Sequence, residues 1–160
     1  MRASITSALI AVLVTGAALL HSTSLLEQTV THTARSDADS LKLLERFADA
    51  WNRHDLDALM SMMTDDGVFD ASAGPEVNGQ RNEGMQAVRA AYAAVFETFP
   101  DAHWANARHF IAGNRGVSEW TFTGTRKDGQ RVEVNGCDLF TFREGKIAIK
   151  NSYRKNRPPI

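Results

Sequence analysis

Cysteine is nearly missing from this chain: Cys137 stands alone among 160 residues, so no internal disulfide can form and no thiolate cluster can hold a metal. The five histidines (His21, His32, His54, His103 and His109) show no HExxH-like spacing, and no protein metal site is expected. Excess charge of either sign is lacking too, because 18 Lys and Arg against 19 Asp and Glu leave a formal net charge of -1. A nonspecific nucleic-acid binder needs a strongly basic surface to displace counterions from phosphates, so no nucleic-acid partner is expected. No glycine-rich phosphate loop and no Ser-His-Asp or Cys-His arrangement with supporting context is present, which sets aside nucleotide enzymes and nucleophilic hydrolases. Internal repeats and low-complexity tracts are also absent. The length suits one domain, and the apolar content is enough for a real core.

The N-terminus differs from the rest. Arg2 precedes an uncharged run whose apolar heart, Ala8 to Leu20, is 13 residues long, short of the roughly 20 that a spanning helix wants. Ser4, Thr6, Ser7, Thr15 and Gly16 dilute it, and Ser22 and Ser24 supply small residues at the spacing a signal peptidase accepts. Residues 1–24 read as a secretion signal cleaved after Ser24, which makes the protein exported, to the periplasm or beyond. An uncleaved anchor, as the sole membrane attachment, and a mis-assigned start codon in front of a cytoplasmic protein are the alternatives. Residues 25–40 then form a polar spacer.

From Leu41 the apolar positions Leu41, Leu44, Ala48 and Trp51, with Phe47 beside them, fall on one face at helical spacing. Asn52, Arg53 and His54 end that helix, and Asp55 is placed to cap a second one that buries Leu56, Leu59, Met60 and Met63. A short strand is expected over Val68 to Ser72, then a loop where Gly74, Pro75, Asn78 and Gly79 cluster. A third helix near Glu83 to Phe99 buries Val88, Ala91, Tyr92, Val95 and Phe99 and stops at Pro100. The period then changes to two. His103 to Ile111, Val117 to Thr125, Arg131 to Phe142 and Lys146 to Arg154 read as a four-stranded meander, with turns at Gly113 and Asn114, Asp128 and Gly129, and Glu144 and Gly145. This is an α+β pattern in which the sheet must curl around the helices, leaving a cone whose wide end is a natural pocket.

Within the third of these strands, alternate residues read Val132, Val134, Gly136, Asp138, Phe140, Phe142, so one carboxylate interrupts an apolar face. An isolated buried charge is costly, so Asp138 is expected to be hydrogen-bonded, paired or neutral, and each state makes it a candidate acid/base group. The alternatives are a structural carboxylate bonded to backbone and a bulge that returns Asp138 to the surface. On the last strand Asn151 and Tyr153 share the phase of Ile147 and Ile149, where an amide and a phenol can orient a carbonyl or hydroxyl, or simply make a polar strand end. Trp51, Tyr92 and Trp104 belong to elements that surround a cone, while Trp120 and Phe122 share a strand phase and Phe140 follows Asp138 in its own. Such aromatics form either core or a ligand cage. His103 and His109 cannot both face inward from a regular strand with Trp104 and Phe110; His109 is the pocket candidate, against the commoner alternative of a satisfied sheet histidine. The run Lys146, Lys150, Arg154, Lys155 and Arg157 lies mostly on the outward phase as a solvated face. Cys137, beside Asp138 but in the opposite phase, reads as packed rather than reactive.

Three segments in order, WNRHDLDALMSMMTDDGVFD, EGMQAVRAAYAAVFETFPDAHW and VEVNGCDLFTFREGKI, make residues 41–157 resemble the SnoaL-like polyketide cyclase branch of the nuclear-transport-factor-2-like superfamily. The resemblance implies a cone-shaped α+β fold, three N-terminal helices packed in a curved, mainly antiparallel sheet, often a homodimer through that sheet. It also implies a small hydrophobic molecule in the cone and no cofactor. In the polyketide cyclases of this group an Asp on the penultimate strand is the acid/base of an intramolecular aldol closure, and by motif position Asp138 is similar to it. In the related ketosteroid isomerases the similar position holds a protonated Asp that donates to an oxyanion, and the general base lies on the first strand, close to Asp70. A histidine that often follows the strand-end Thr in the cyclases has no counterpart after Thr125, where Arg126 and Lys127 stand. Asp138 and Asp70 are thus the candidate catalytic residues, with Trp51, Tyr92, His109, Trp120, Phe140, Asn151 and Tyr153 as candidate ligand contacts. The reading is a small-molecule-binding protein, a cofactor-independent cyclase or isomerase acting on a hydrophobic carbonyl compound. The competing class is a noncatalytic ligand-binding or dimerisation module of the same fold.

Overall fold

The structure is a computed structural model that describes residues 36–158 and 160. The signal or anchor reading of 1–24 and the spacer as far as residue 35 lie outside the described residues. The first helix, α1, is described over 36–52 and so takes in the last residues assigned to the spacer, starting ahead of the expected Leu41. Among the described residues no helix is long and apolar enough to cross a membrane.

Leu44, Phe47 and Trp51 of α1 enter the core, and the helix ends at a turn where His54 takes φ 54. Asp55 then caps α2 (Leu56–Ser61) as expected, its side chain accepting from the Ala58 backbone N–H at 2.9 Å. β1 (Met63–Asp70) starts five residues before the strand expected from Val68. β2 (Arg81–Glu83) was not anticipated: three polar residues carry no alternation to read. α3 (Gly84–Thr98) agrees with the expected helix to within a residue at each end. It follows two strands, so the described helices do not form one N-terminal block. β3 (His103–Ala112), β4 (Arg115–Thr125), β5 (Arg131–Arg143) and β6 (Lys146–Arg154) make the meander. Glu144 and Gly145 both take positive φ (53° and 73°), the backbone that matches a two-residue hairpin to the right-handed twist of its strands.

The six strands form one sheet in the order β2-β1-β6-β5-β4-β3. β1 runs parallel to β6, and every other pair is antiparallel. Three irregularities bend the sheet: one in β1 between Met63 and Val68, one in β3 between Ala105 and Arg108, with Asn106 at φ 57, and one in β6 opposite Thr141 and Phe142. The helices pack on the concave face. Leu44, Phe47, Leu59, Val88, Tyr92 and Phe140 form the main core, and Phe99, Phe122, Val132 and Val134 a second cluster towards the other end. Each fully buried side chain of this size contributes about 1.5–3 kcal/mol of transfer free energy.

Candidate functional site

β5 keeps its phase, so Asp138 faces the concave side and is 6% exposed. Its charge is paired. Lys150 Nζ donates to Oδ1 at 2.8 Å, Ser152 Oγ donates to the same oxygen at 2.5 Å, and Trp120 Nε1 donates to Oδ2 at 3.0 Å. Lys150 also donates to Ser152 Oγ at 2.6 Å, and its ammonium lies 4.7 Å from the Phe69 ring centroid and 5.6 Å from that of Trp51. Gly136, one step back in the same phase, explains how the indole reaches: a Cβ there would meet Trp120 Cη2 at 2.2 Å. The missing side chain lets Trp120 lie across β5 and turn its N–H to Asp138.

Lys150 overturns the outward reading of the C-terminal basic run at that position. In an unbroken strand it would share a face with Ala148 and Ser152, and Ile147 would share one with Asn151 and Tyr153. The β6 bulge re-phases the strand: Phe142 pairs with Ile147, yet Phe140 pairs with Lys150 and Asp138 with Ser152. Lys150 and Ser152 therefore join the face of Asp138. Asn151 and Tyr153, expected in the cone, go to the convex side, where Asn151 Nδ2 donates to Tyr153 Oη and Tyr153 is half exposed.

The β3 bulge works in the opposite sense. Trp104 and His109 lie an odd number of residues apart, and the extra residue brings both inward, opposite Phe122 and Ser118. His109 Nδ1 shares a hydrogen bond with Ser118 Oγ at 2.7 Å, and Ser118 is the cross-strand partner of Asp138. Burial holds His109 below its ordinary pKa, with the Glu45 and Asp49 carboxylates pulling the other way. Asn52, read from sequence only as a helix breaker, fixes the neighbouring wall. Its amide accepts from Trp104 N–H at 2.8 Å and donates to Trp104 C=O at 3.0 Å.

Two cavities meet at Lys150. A small one of about 30 Å³ is lined by His109, Ser118, Trp120, Asp138, Phe140 and Lys150 among others, room enough for a water molecule. A larger one of about 380 Å³ is lined mainly by apolar side chains, including Phe69, Val95, Phe99 and Phe122, with Lys150 and Ser152 among its polar groups. That volume is in the range of small-molecule sites. Trp51, Trp104, Trp120 and Lys150 line both cavities and so stand between them. Trp51 Nε1 is buried and has no hydrogen-bond partner among the described residues. A wider groove of about 810 Å³ on the convex side, lined by Arg108, Glu119, Asn135 and Tyr153 among others, is more open and holds none of the buried charged groups. The buried Asp138–Lys150 pair therefore lies on the concave side, away from this groove.

Two other candidates fall elsewhere. Phe69 pairs with Lys150 on the concave face, so Asp70, the next residue, turns away opposite Asn151. There Arg81 grips its carboxylate through Nε at 2.8 Å and Nη2 at 3.0 Å. Asp70 is buried, but the structure does not bring it to Asp138. Tyr92 is fully buried core rather than cavity wall, its Oη donating to Met63 Sδ at 3.2 Å. Burial first, and then the charge of Asp138, push its phenol well above its ordinary pKa of 10.0, so it stays protonated. Among the described residues no three His, Cys, Asp or Glu side chains gather where they could hold a metal ion.

The family model described as a SnoaL-like domain matches residues 44–149, about two thirds of the chain. The chain belongs to the SnoaL-like domain family. Solved structures share its fold at low identity. One is a candidate polyketide cyclase from Xanthomonas campestris pv. campestris, 20% identical with a TM-score of 0.68 over 76% of this chain and 93% of that one. Another is a nuclear-transport-factor-2-like protein of unknown function from Mesorhizobium loti, 26% identical with a TM-score of 0.63 over 75% and 93%. A third is a protein from Catenulispora acidiphila with a ketosteroid isomerase-like fold, solved in complex with trimethylamine. It is 20% identical with a TM-score of 0.61 over 69% and 83%. No curated protein matches the chain in sequence. In this SnoaL-like domain the penultimate strand, β5, carries Asp138 buried on its concave face.

Proposed function

We propose that this SnoaL-like protein binds a small, largely hydrophobic carbonyl compound in the 380 Å³ cavity and moves a proton beside the carbonyl, as a cofactor-independent cyclase or isomerase. One observation carries the reading: a carboxylate and an ammonium, 9% and 6% exposed at their side chains, stand in contact, Lys150 on the wall of a ligand-sized, mainly apolar cavity and Asp138 beside it on the small one. Lys150 is placed to donate to the carbonyl oxygen, where enolate charge develops on loss of the neighbouring proton, and preorganised donors of this kind commonly supply a few kcal/mol. Asp138 accepts that proton, beside Lys150 or across a single water for which the small cavity has room. The enolate then closes onto an electrophile in the same molecule or is reprotonated at another carbon. The ligand decides which.

A second reading, a noncatalytic binding module, is favoured by a different observation: both oxygens of Asp138 already accept protein hydrogen bonds. Asp138→Asn separates the two, since the amide keeps the shape and an oxygen for Lys150 and Ser152, turns its NH₂ rather than an acceptor to Trp120, and is no base. With a ligand recovered from the purified protein and identified by mass spectrometry, turnover is expected to fall by about 10²–10⁴. Affinity should change little. Retained turnover removes Asp138 from the mechanism, and absent turnover in the unaltered protein leaves the binding module.

A further inference from the structure

We infer that Lys150 captures its ligand covalently, its ε-amine forming a Schiff base with an aldehyde or ketone carbon in the 380 Å³ cavity while Asp138 shuttles the proton. The inference rests on the reading of that cavity as a carbonyl site. It adds a bond that proton transfer by Asp138 does not require.

Three features place that chemistry at this amine. Lys150 lines the cavity yet is only 5% exposed overall, and Phe69 and Trp51 lie against its ammonium, so little water competes for it. A lysine becomes nucleophilic when it is desolvated and a base can take its proton, and Asp138 Oδ1 is 2.8 Å from Nζ. Lys42, Lys127, Lys146 and Lys155, by contrast, are exposed. Finally, Trp51 lines the same cavity, and its Nε1 is a buried donor without a partner among the described residues. Buried donors of this kind call for an acceptor, and the oxygen of a bound carbonyl, or of the adduct it forms, supplies one.

The steps balance without an added reagent. Lys150 gives one proton to Asp138, and the freed amine adds to the carbonyl carbon as the C=O π bond opens. The nitrogen proton passes to that oxygen, giving a neutral carbinolamine. Asp138 then returns its proton to the hydroxyl, the C–O bond breaks, and water leaves. The products are an iminium ion, the Asp138 carboxylate and one water. The iminium draws electrons from the adjacent carbon more strongly than a hydrogen-bonded carbonyl, so the same carboxylate meets a more acidic C–H.

The test uses the full chain with benzaldehyde, which is small and apolar and has no α-proton, in the presence of sodium cyanoborohydride. The intact mass is expected to rise by one reduced adduct, and peptide mapping should place it on Lys150 at least tenfold faster than on any exposed lysine. Lys150→Arg, which keeps the cation and lacks the primary amine, should lose that fast adduct. Mapping in the unaltered protein decides the matter even where the variant folds poorly. Labelling of Lys150 no faster than of Lys127, Lys146 or Lys155 overturns the proposal. If a bound ketone still exchanges its α-protons when no fast adduct forms, the covalent step fails and the acid/base reading stands. A fast adduct without such exchange supports the capture and counts against the acid/base reading.

Discussion

Removing one member of the Asp138–Lys150 pair should cost far more stability than removing both. The two side chains are 9% and 6% exposed and stand 2.8 Å apart, so either charge left alone remains buried without its counter-ion. Lys150→Met keeps much of the stem packing against Phe69 and Trp51 and deletes the ammonium, leaving Asp138 with only Trp120 and Ser152 as donors. Breaking a buried pair from one side costs about 3–5 kcal/mol. Of a typical domain stability of about 5–15 kcal/mol that is a large fraction. Asp138→Leu should cost at least as much, because it strands the ammonium and removes the acceptor of the Trp120 indole. The double variant buries no charge and is expected within about 2 kcal/mol of the unaltered protein. Simple additivity would instead place it about 6–10 kcal/mol below. Urea unfolding followed through tryptophan fluorescence reads all four proteins. Two single costs under about 1 kcal/mol that add in the double variant are the behaviour of an exposed pair, and would refute the buried dyad.

Two further outcomes follow from the same wall of the cone. Gly136→Ala forces a Cβ into Trp120, which should cost about 1–3 kcal/mol as overpacking and shift the indole N–H resonance of the residue bonded to Asp138; an unmoved resonance contradicts the packing. His109 has its pKa lowered by burial from an ordinary 6.5, so as pH falls through that value the unfolded chain takes up the proton before the folded one. Its contribution therefore lowers stability on acidification through and below about pH 6.5, until the folded histidine protonates as well. Denaturation midpoints at several pH values should show a smaller acid loss in His109→Gln, and an unchanged loss rules the histidine out.

Periodicity carried the fold a long way. The capping Asp55, the limits of α3 and the four meander strands follow from cap chemistry, helical spacing and turn residues, all of them local signals. Asp138 was legible for the same reason: β5 is regular along its length and alternates cleanly. The rest of the site depends on two bulges that leave little trace in composition. An extra residue in β6 exchanges Lys150 and Ser152 for Asn151 and Tyr153 on the concave face, and another in β3 lets Trp104 and His109 face inward together. Asp70 failed by a single step, since Phe69 takes the inner position and Arg81, from a strand too short to read, holds the carboxylate away. Family resemblance carried the position of Asp138 but not its partner. That partner, Lys150, emerges only with cross-strand register.

The central claim is proton transfer by Asp138 inside the cone, and the most direct measurement is exchange of carbon-bound protons in a bound ketone. With 2-tetralone in D₂O followed by ¹H NMR, the protein is expected to accelerate α-proton loss over buffer. Asp138→Asn should slow it by at least about a hundredfold while tryptophan fluorescence shows affinity nearly unchanged. Equal exchange in both proteins, or tight binding with none in either, contradicts the account.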